Sequence, residues 1–396
     1  MFFLLAISSF CFDDKCVAPL KTPEPINGKK LRFLQLLIRH GARAPLQAWL
    51  PSTARGYWLC DSDEAIAPRM HAAPVDRYRR FKQVFDQRLV DYPPNCRSGD
   101  LTLSGMDQHD KLGQLYHNYL FAQHRLFNSL PVDPEETYFR CSDIERTFRS
   151  AQGFLHGVFP PQSPNEIIDI ETDTADLSIL RPHDGFCKDL EEVRKEYVQT
   201  ERYQNWIDET WEIVKDLAKT LQVTEKSGAN INAVCDFVST VYCDNKRLPA
   251  DAQNETIQQA CLHSLGFYMY DYYQYNSTVA GSYTMRKMVS VADQHVNNNG
   301  KLKFSLLSAH DSTISSILIF LKGKYFKTYN RIPPFASHLA MELWSSDENP
   351  NNYTIRFALN GEDIELEKME NQTIVNYNDF KDAYSDYQKY CAEIPI

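Results

Sequence analysis

The chain has 396 residues, of which 43% are apolar and 24% charged, the usage of an ordinary globular protein, so disordered and fibrous classes are excluded. A formal net charge of -10 argues against nucleic acid or an anionic membrane surface as the main partner. Any anion site must therefore be local, and arginines grouped in one motif carry more weight than the global balance.

In chain order, residues 2–12 form a short apolar run that gives way abruptly to Asp13, Asp14 and Lys15. It is too short to span a bilayer and reads as a signal peptide over 1–12, although a positive n-region is missing apart from the terminal amine; a buried N-terminal strand is the alternative. Residues 31–38 are apolar except for Arg32 and Gln35. They predict a strand buried on both faces that ends directly in Arg39-His40-Gly41. An insert at 52–99 carries Cys60, Cys96 and an arginine-rich helix over 76–90.

Helical spacing over 101–123 begins near Ser104, a candidate N-cap. A short strand is expected over 137–140, and Ser142-Asp143-Ile144-Glu145 fits a capping box that opens a helix to about 156. This puts Arg140 at a strand end before a helix N-terminus. Residues 189–283 are dominated by charged amphipathic helix, for example 190–221 with anchors at Trp206, Trp211 and Ile213, and read as an inserted helical cap. A strand over 303–308 then leads through Ala309-His310-Asp311 into a helix over 313–321, and 337–344 with 353–359 suggest a closing hairpin.

Strand, polar turn, helix thus recurs three times, the grammar that gathers functional groups at the carboxyl ends of parallel strands. The expected fold is an α/β/α sandwich with a mainly parallel central sheet, built from 13–188 and 284–396, with the mostly helical cap at 189–283.

Arg39-His40-Gly41-Ala42-Arg43-Ala44-Pro45 is the densest chemical signal. Two guanidinium forks that match phosphate oxygens flank a histidine, and Gly41 would let the backbone approach an anion. Most of the eleven histidines read as structural. None has metal-ligand spacing, so neither a metal nor another cofactor is expected. Ten cysteines and four N-x-[ST] sequons, at Asn254, Asn276, Asn352 and Asn371, fit an oxidising compartment. Loss of Cys11 with a leader would leave nine cysteines and at least one free thiol, for which Cys141 is the candidate. No second long apolar run suggests an integral membrane segment, so a soluble mature protein, secreted or lysosomal, is expected; a homodimer is compatible with the sequence.

The motif Arg-His-Gly-x-Arg-x-Pro after an apolar strand, with a distant His-Asp pair, resembles the histidine acid phosphatase family, prostatic and lysosomal acid phosphatases included. The resemblance extends through Leu101 to Gly113, Arg140 to Thr147, Ser308 to Asp311 and Pro333 to Ser337. It implies that Arg39, Arg43, Arg140 and His310 hold the phosphate of a monoester substrate, that His40 attacks phosphorus to give a phosphohistidine, and that Asp311 manages the leaving-group proton, with an acid optimum. Arg146 and Arg149 read as solvated helix charges. Cys187 with Cys391 resembles a family disulfide, Cys60 with Cys96 is suggested by their shared insert, and His338 stands where relatives often carry a cysteine, leaving Cys243 to pair with Cys235 or Cys261. Ala42, and Arg69, Arg77, Arg79 and Arg80 if they face the pocket, favour an inositol-phosphate (phytase-like) phosphatase as the rival reading; an inactive secreted phosphate-binding or interaction protein is the alternative from another class.

Overall fold

The computed structural model describes residues 16–46, 58–60, 96–163, 166–174, 178–181, 187–246, 248–275, 279–298, 300–321, 332–392 and 394. The expected signal peptide, the helix over 76–90, its arginines and Asn276 lie outside these residues.

Strand β1 (Lys30–Arg39) runs through the middle of an eight-stranded sheet. Its apolar residues alternate as strand geometry requires. Leu34, Leu36 and Ile38 face one core, and Phe33 and Leu37 face another. The first core is closed by α1 (Leu103–His117) and α2 (Glu145–Val158). The second is closed mainly by α7 (Val279–Asn297) and α8 (Asp311–Leu321). Burial on both faces is what forces the continuous apolar runs.

Around β1 the chain adds β2 (Thr137–Cys141), β3 (Glu171–Thr172), β4 (Phe304–Ala309), β5 (His338–Ser345), β6 (Thr354–Leu359), β7 (Glu362–Asp363) and β8 (Ile374–Asn376). The path β3-β2-β4-β1 is parallel, whereas β5, β6, β7 and β8 continue it antiparallel. The fold is therefore the expected α/β sandwich, parallel where three strand ends meet and closed by the expected β5–β6 hairpin.

Between Cys187 and Tyr275 lie α3 (Lys188–Tyr197), α4 (Glu201–Thr220), α5 (Gly228–Cys243) and α6 (Glu255–Gln274). The helix read over 190–221 is in fact two, because the Thr200 side chain accepts from the Tyr203 amide and starts α4 anew. Trp206 is buried there, but Ile213 is 42% exposed and anchors nothing. From α4, α5 and α6 come the apolar residues of a third core, which also takes in Trp58 and the Cys60–Cys96 disulfide.

Two caps also differ from expectation. Thr102, not Ser104, caps α1, accepting from the Gly105 amide at 3.2 Å. Helix α2 begins at Glu145 after Ile144 and has no side-chain cap, because Ser142 is engaged elsewhere. Cys187–Cys391 and Cys60–Cys96 are disulfides as read, and Cys141 is free. Cys243 pairs with Cys16, not with Cys235 or Cys261. Cys235 could not have served: eight residues away on the same helix, it lies about 12 Å along the axis, beyond disulfide reach.

Candidate active site

In register, Arg39 pairs with Ala309 and Cys141 with Ser308. The next residues, His40, His310 and Ser142, therefore leave the sheet side by side at its carboxyl edge. The loop from His40 turns under α1, and Gly41 serves that packing: a Cβ there would lie 2.4 Å from the Gly105 carbonyl oxygen, and one at Gly105 would lie 2.2 Å from that of Ala42. The glycine is thus required by a backbone-to-helix contact. Ser150 and Gln108 hold the Gly41 and Ala42 amides at 3.1 and 2.9 Å.

His40 is 1% exposed. Its Nδ1 lies 2.9 Å from the Gly41 carbonyl oxygen. A carbonyl only accepts, so Nδ1 carries the proton and Nε2 keeps its lone pair. His310 is ordered in the same way. Its Nδ1 faces Nη2 of Arg146 at 3.5 Å, and its Nε2 lies 2.8 Å from Ser142 Oγ, which in turn meets Thr147 Oγ1 at 2.9 Å. Because guanidinium only donates, Nε2 is the protonated nitrogen and Ser142 receives it. Burial, and then Arg146 ahead of the other arginines, push both imidazoles well below their usual 6.5. Both rings are consequently neutral at neutral pH.

Three arginines converge on this pair. Arg39 bonds the Asp311 carboxylate at 2.8 Å, donates to the Pro333 carbonyl and lies 4.2 Å over the Phe335 ring. Arg43 forks onto Asp236, at 2.5 and 3.3 Å. Arg146 projects from the first turn of α2, and burial lowers it to about 9, as it lowers Arg39 to about 10. The Nε groups of all three are buried without a partner. Half-buried Arg181 adds a fourth charge sensed by Arg146 and His310. Four guanidinium groups thus surround two carboxylates, an excess that a phosphate dianion would neutralise.

Arg140 is not among them. It stands inside β2, opposite Glu171 of the edge strand β3, and its guanidinium bonds Glu171 at 2.9 Å and also Asp173. Lateral pairing takes it away from the pocket, and Arg146 occupies the place read for it. Arg149 is not free in solvent either, since it donates to the Cys60 carbonyl at 3.0 Å. Sequence reading also missed Ser142 as a partner of His310, the 333–335 segment that holds Arg39, and Asp236. Ser142 and the segment left a signal, since both lie in stretches that resemble relatives; Asp236 comes from α5 and belongs to no motif.

A family model for the histidine phosphatase superfamily (branch 2) matches residues 30–360. The chain belongs to that superfamily. Among the relatives of this histidine phosphatase, "Counting factor 60" of Dictyostelium discoideum is 27% identical over 384 residues, covering 93% of this chain and 89% of that one. Human "Lysosomal acid phosphatase" is 25% identical over 360 residues, covering 85% and 72%. In structure, the phytase of Hafnia alvei in complex with tartrate superposes with a TM-score of 0.60 over 92% of this chain and 98% of that one at 14% identity, a likeness of fold alone. The expectation of a histidine-type phosphatase fold is met, and among the described residues no helix is long and apolar enough to cross a membrane.

Proposed function

We propose that this histidine phosphatase is an extracytoplasmic acid phosphatase that hydrolyses phosphate monoesters through a phosphohistidine on His40. The observation that carries the reading is the tautomer of His40: its Nδ1 proton is committed to the Gly41 carbonyl, so a lone pair remains on Nε2 beside three arginines with unused buried donors.

A monoester dianion takes Nη and Nε donors of Arg39, Arg43 and Arg146, which stabilise charge on the equatorial oxygens of the transferring phosphoryl group. Nε2 of His40 attacks phosphorus as the bond to the leaving oxygen breaks, and Asp311 in its acid form supplies the proton that oxygen needs. The positive charge then formed on the ring is shared with the Gly41 carbonyl through the Nδ1 proton. Water next attacks phosphorus, Asp311 takes its proton, the N–P bond breaks, and His40 recovers its lone pair. His310, neutral in the empty site, gains a reason to protonate when the dianion arrives and then donates to it.

Of the features behind the inositol-phosphate alternative, the insert arginines lie outside the described residues, and Ala42 lends it little. Ala42 is 2% exposed and packs toward α1, so it does not read the substrate. The Asp236 carboxylate on Arg43 adds negative charge where a polyphosphorylated ring would bring more. Three disulfides and the exposed sequon residues Asn254, Asn352 and Asn371 support an oxidising, glycosylating compartment. The test is turnover of an aryl phosphate and of inositol hexakisphosphate from about pH 3 to about pH 8, beside Asp311→Ala. The reading predicts faster turnover of the aryl ester in acid and, for Asp311→Ala, the greatest loss with poor leaving groups. Protein inert on both esters would overturn it.

A further inference from the structure

A second polar cleft lies at the opposite end of β1, about 30 Å from Arg39 by strand rise. Its cavity of about 890 Å³ is lined by Lys29, Lys30, Arg32, Arg125 and Lys303, with no acidic side chain among the described lining residues. Neighbouring acids offset only part of this charge. Lys30 and Arg32 share the single carboxylate of Asp347 at 2.6 and 2.9 Å, and Lys303 meets Glu136 at 2.5 Å. Lys29 donates to the neutral Thr354 hydroxyl at 3.1 Å, and Arg125 is exposed with no acidic partner among the described residues. In a chain of net charge -10, such a concentration of cations is a local feature that bulk composition does not supply.

The same cleft is lined by two histidines whose Nε2 atoms are buried without a partner. His295 is 2% exposed and donates from Nδ1 to the Leu302 carbonyl at 2.6 Å, so its buried Nε2 holds a lone pair without a partner. His124, wedged edge-on between the Tyr119 and Trp344 rings, likewise leaves Nε2 unsatisfied. Burial keeps both rings neutral, His124 being lowered to about 4. Cations alone would suit any anion; cations beside neutral imidazoles suit a ligand that brings hydroxyls as well as anionic groups.

We propose that this cleft is a non-catalytic binding site for a sulfated saccharide, with Lys29, Arg125 and their neighbours on the sulfate esters, His295 accepting from a ring hydroxyl and His124 hydrogen-bonding to another. A phosphorylated saccharide would be consumed as substrate by a phosphatase, whereas a sulfate ester survives it; this choice of ester rests on the phosphatase activity.

The experiment is calorimetric titration of the full chain, at about physiological salt, with a heparin-derived sulfated tetrasaccharide, its desulfated counterpart and inorganic sulfate. One equivalent of the sulfated sugar should bind, at least about tenfold more tightly than either control. Lys29→Glu with Arg125→Glu should weaken it by about tenfold or more while kcat/KM on an aryl phosphate stays within about twofold, which also reports intact folding. The proposal is overturned by absence of binding, by competitive inhibition of the phosphatase, by equal binding of inorganic sulfate or the desulfated sugar, or by undiminished binding to the double variant.

Discussion

Replacing Arg146 by alanine removes a guanidinium whose Nη2 lies 3.5 Å from His310 Nδ1 and whose buried Nε has no protein partner. Loss of one preorganised donor to a transition-state oxyanion costs about 2.7–4 kcal/mol, or roughly 10²–10³ in kcat. A second effect has the opposite character. Arg146 is the largest charge holding His40 and His310 down, so without it both rings take up protons more readily and the acid limb of kcat/KM moves to higher pH. Arg140→Ala breaks the pair with Glu171 and Asp173 and the hydrogen bond to the Tyr138 hydroxyl, at roughly 1 kcal/mol of stability and less than about threefold in kcat. Steady-state kinetics on an aryl phosphate across acid pH, with thermal unfolding of both variants, separates the two arginines. A hundredfold loss in Arg140→Ala with normal turnover in Arg146→Ala would refute the geometry.

The buried Glu342–Arg356 pair tests the far side of the sheet. Glu342 accepts from Arg356 at 2.5 and 2.8 Å, from Tyr119 at 2.6 Å and from Trp344 at 2.9 Å. Glu342→Ala should cost about 3–5 kcal/mol in urea unfolding by stranding the guanidinium, and adding Arg356→Leu should recover much of that. Activity per folded molecule should not change in either. The histidines set the acid limit of stability. Burial lowers His109 to about 3, and His40, His310 and His338 are lowered too. Below about 6.5 the unfolded chain takes up protons that the fold refuses, so this stability is present above 6.5 and is lost as pH falls. For His109 the loss approaches about 1.4 kcal/mol per pH unit well below 6.5 and comes to roughly 2.3 kcal/mol between about pH 6.5 and pH 4.5. Unfolding of His109→Gln over that range should lose correspondingly less; a loss equal to the wild type's would contradict the assignment.

What sequence could supply here follows from how local each signal is. The run ending in Arg39-His40 is read directly because a doubly buried strand must be apolar and its end is abrupt. The choice between Arg140 and Arg146 is not local. Three arginines crowd one strand end and helix start, and Glu171 on an edge strand decides which of them turns away. Asp236 reaches Arg43 from a helix 193 residues later, and Cys16 meets Cys243 across 227 residues; neither lies in a motif. The break between α3 and α4 was legible, since Thr200 precedes Glu201 in N-cap order, but continuous amphipathic spacing masked it.

The most direct test of the account is to catch the intermediate. An aryl phosphate is mixed with enzyme in excess and quenched in alkali within one turnover, since a phosphoramidate survives base, and the phosphorylated peptide is mapped by mass spectrometry. The account predicts one phosphoryl group per chain on His40, and neither label nor turnover in His40→Ala. Label on another side chain, or wild-type turnover in His40→Ala, would contradict it.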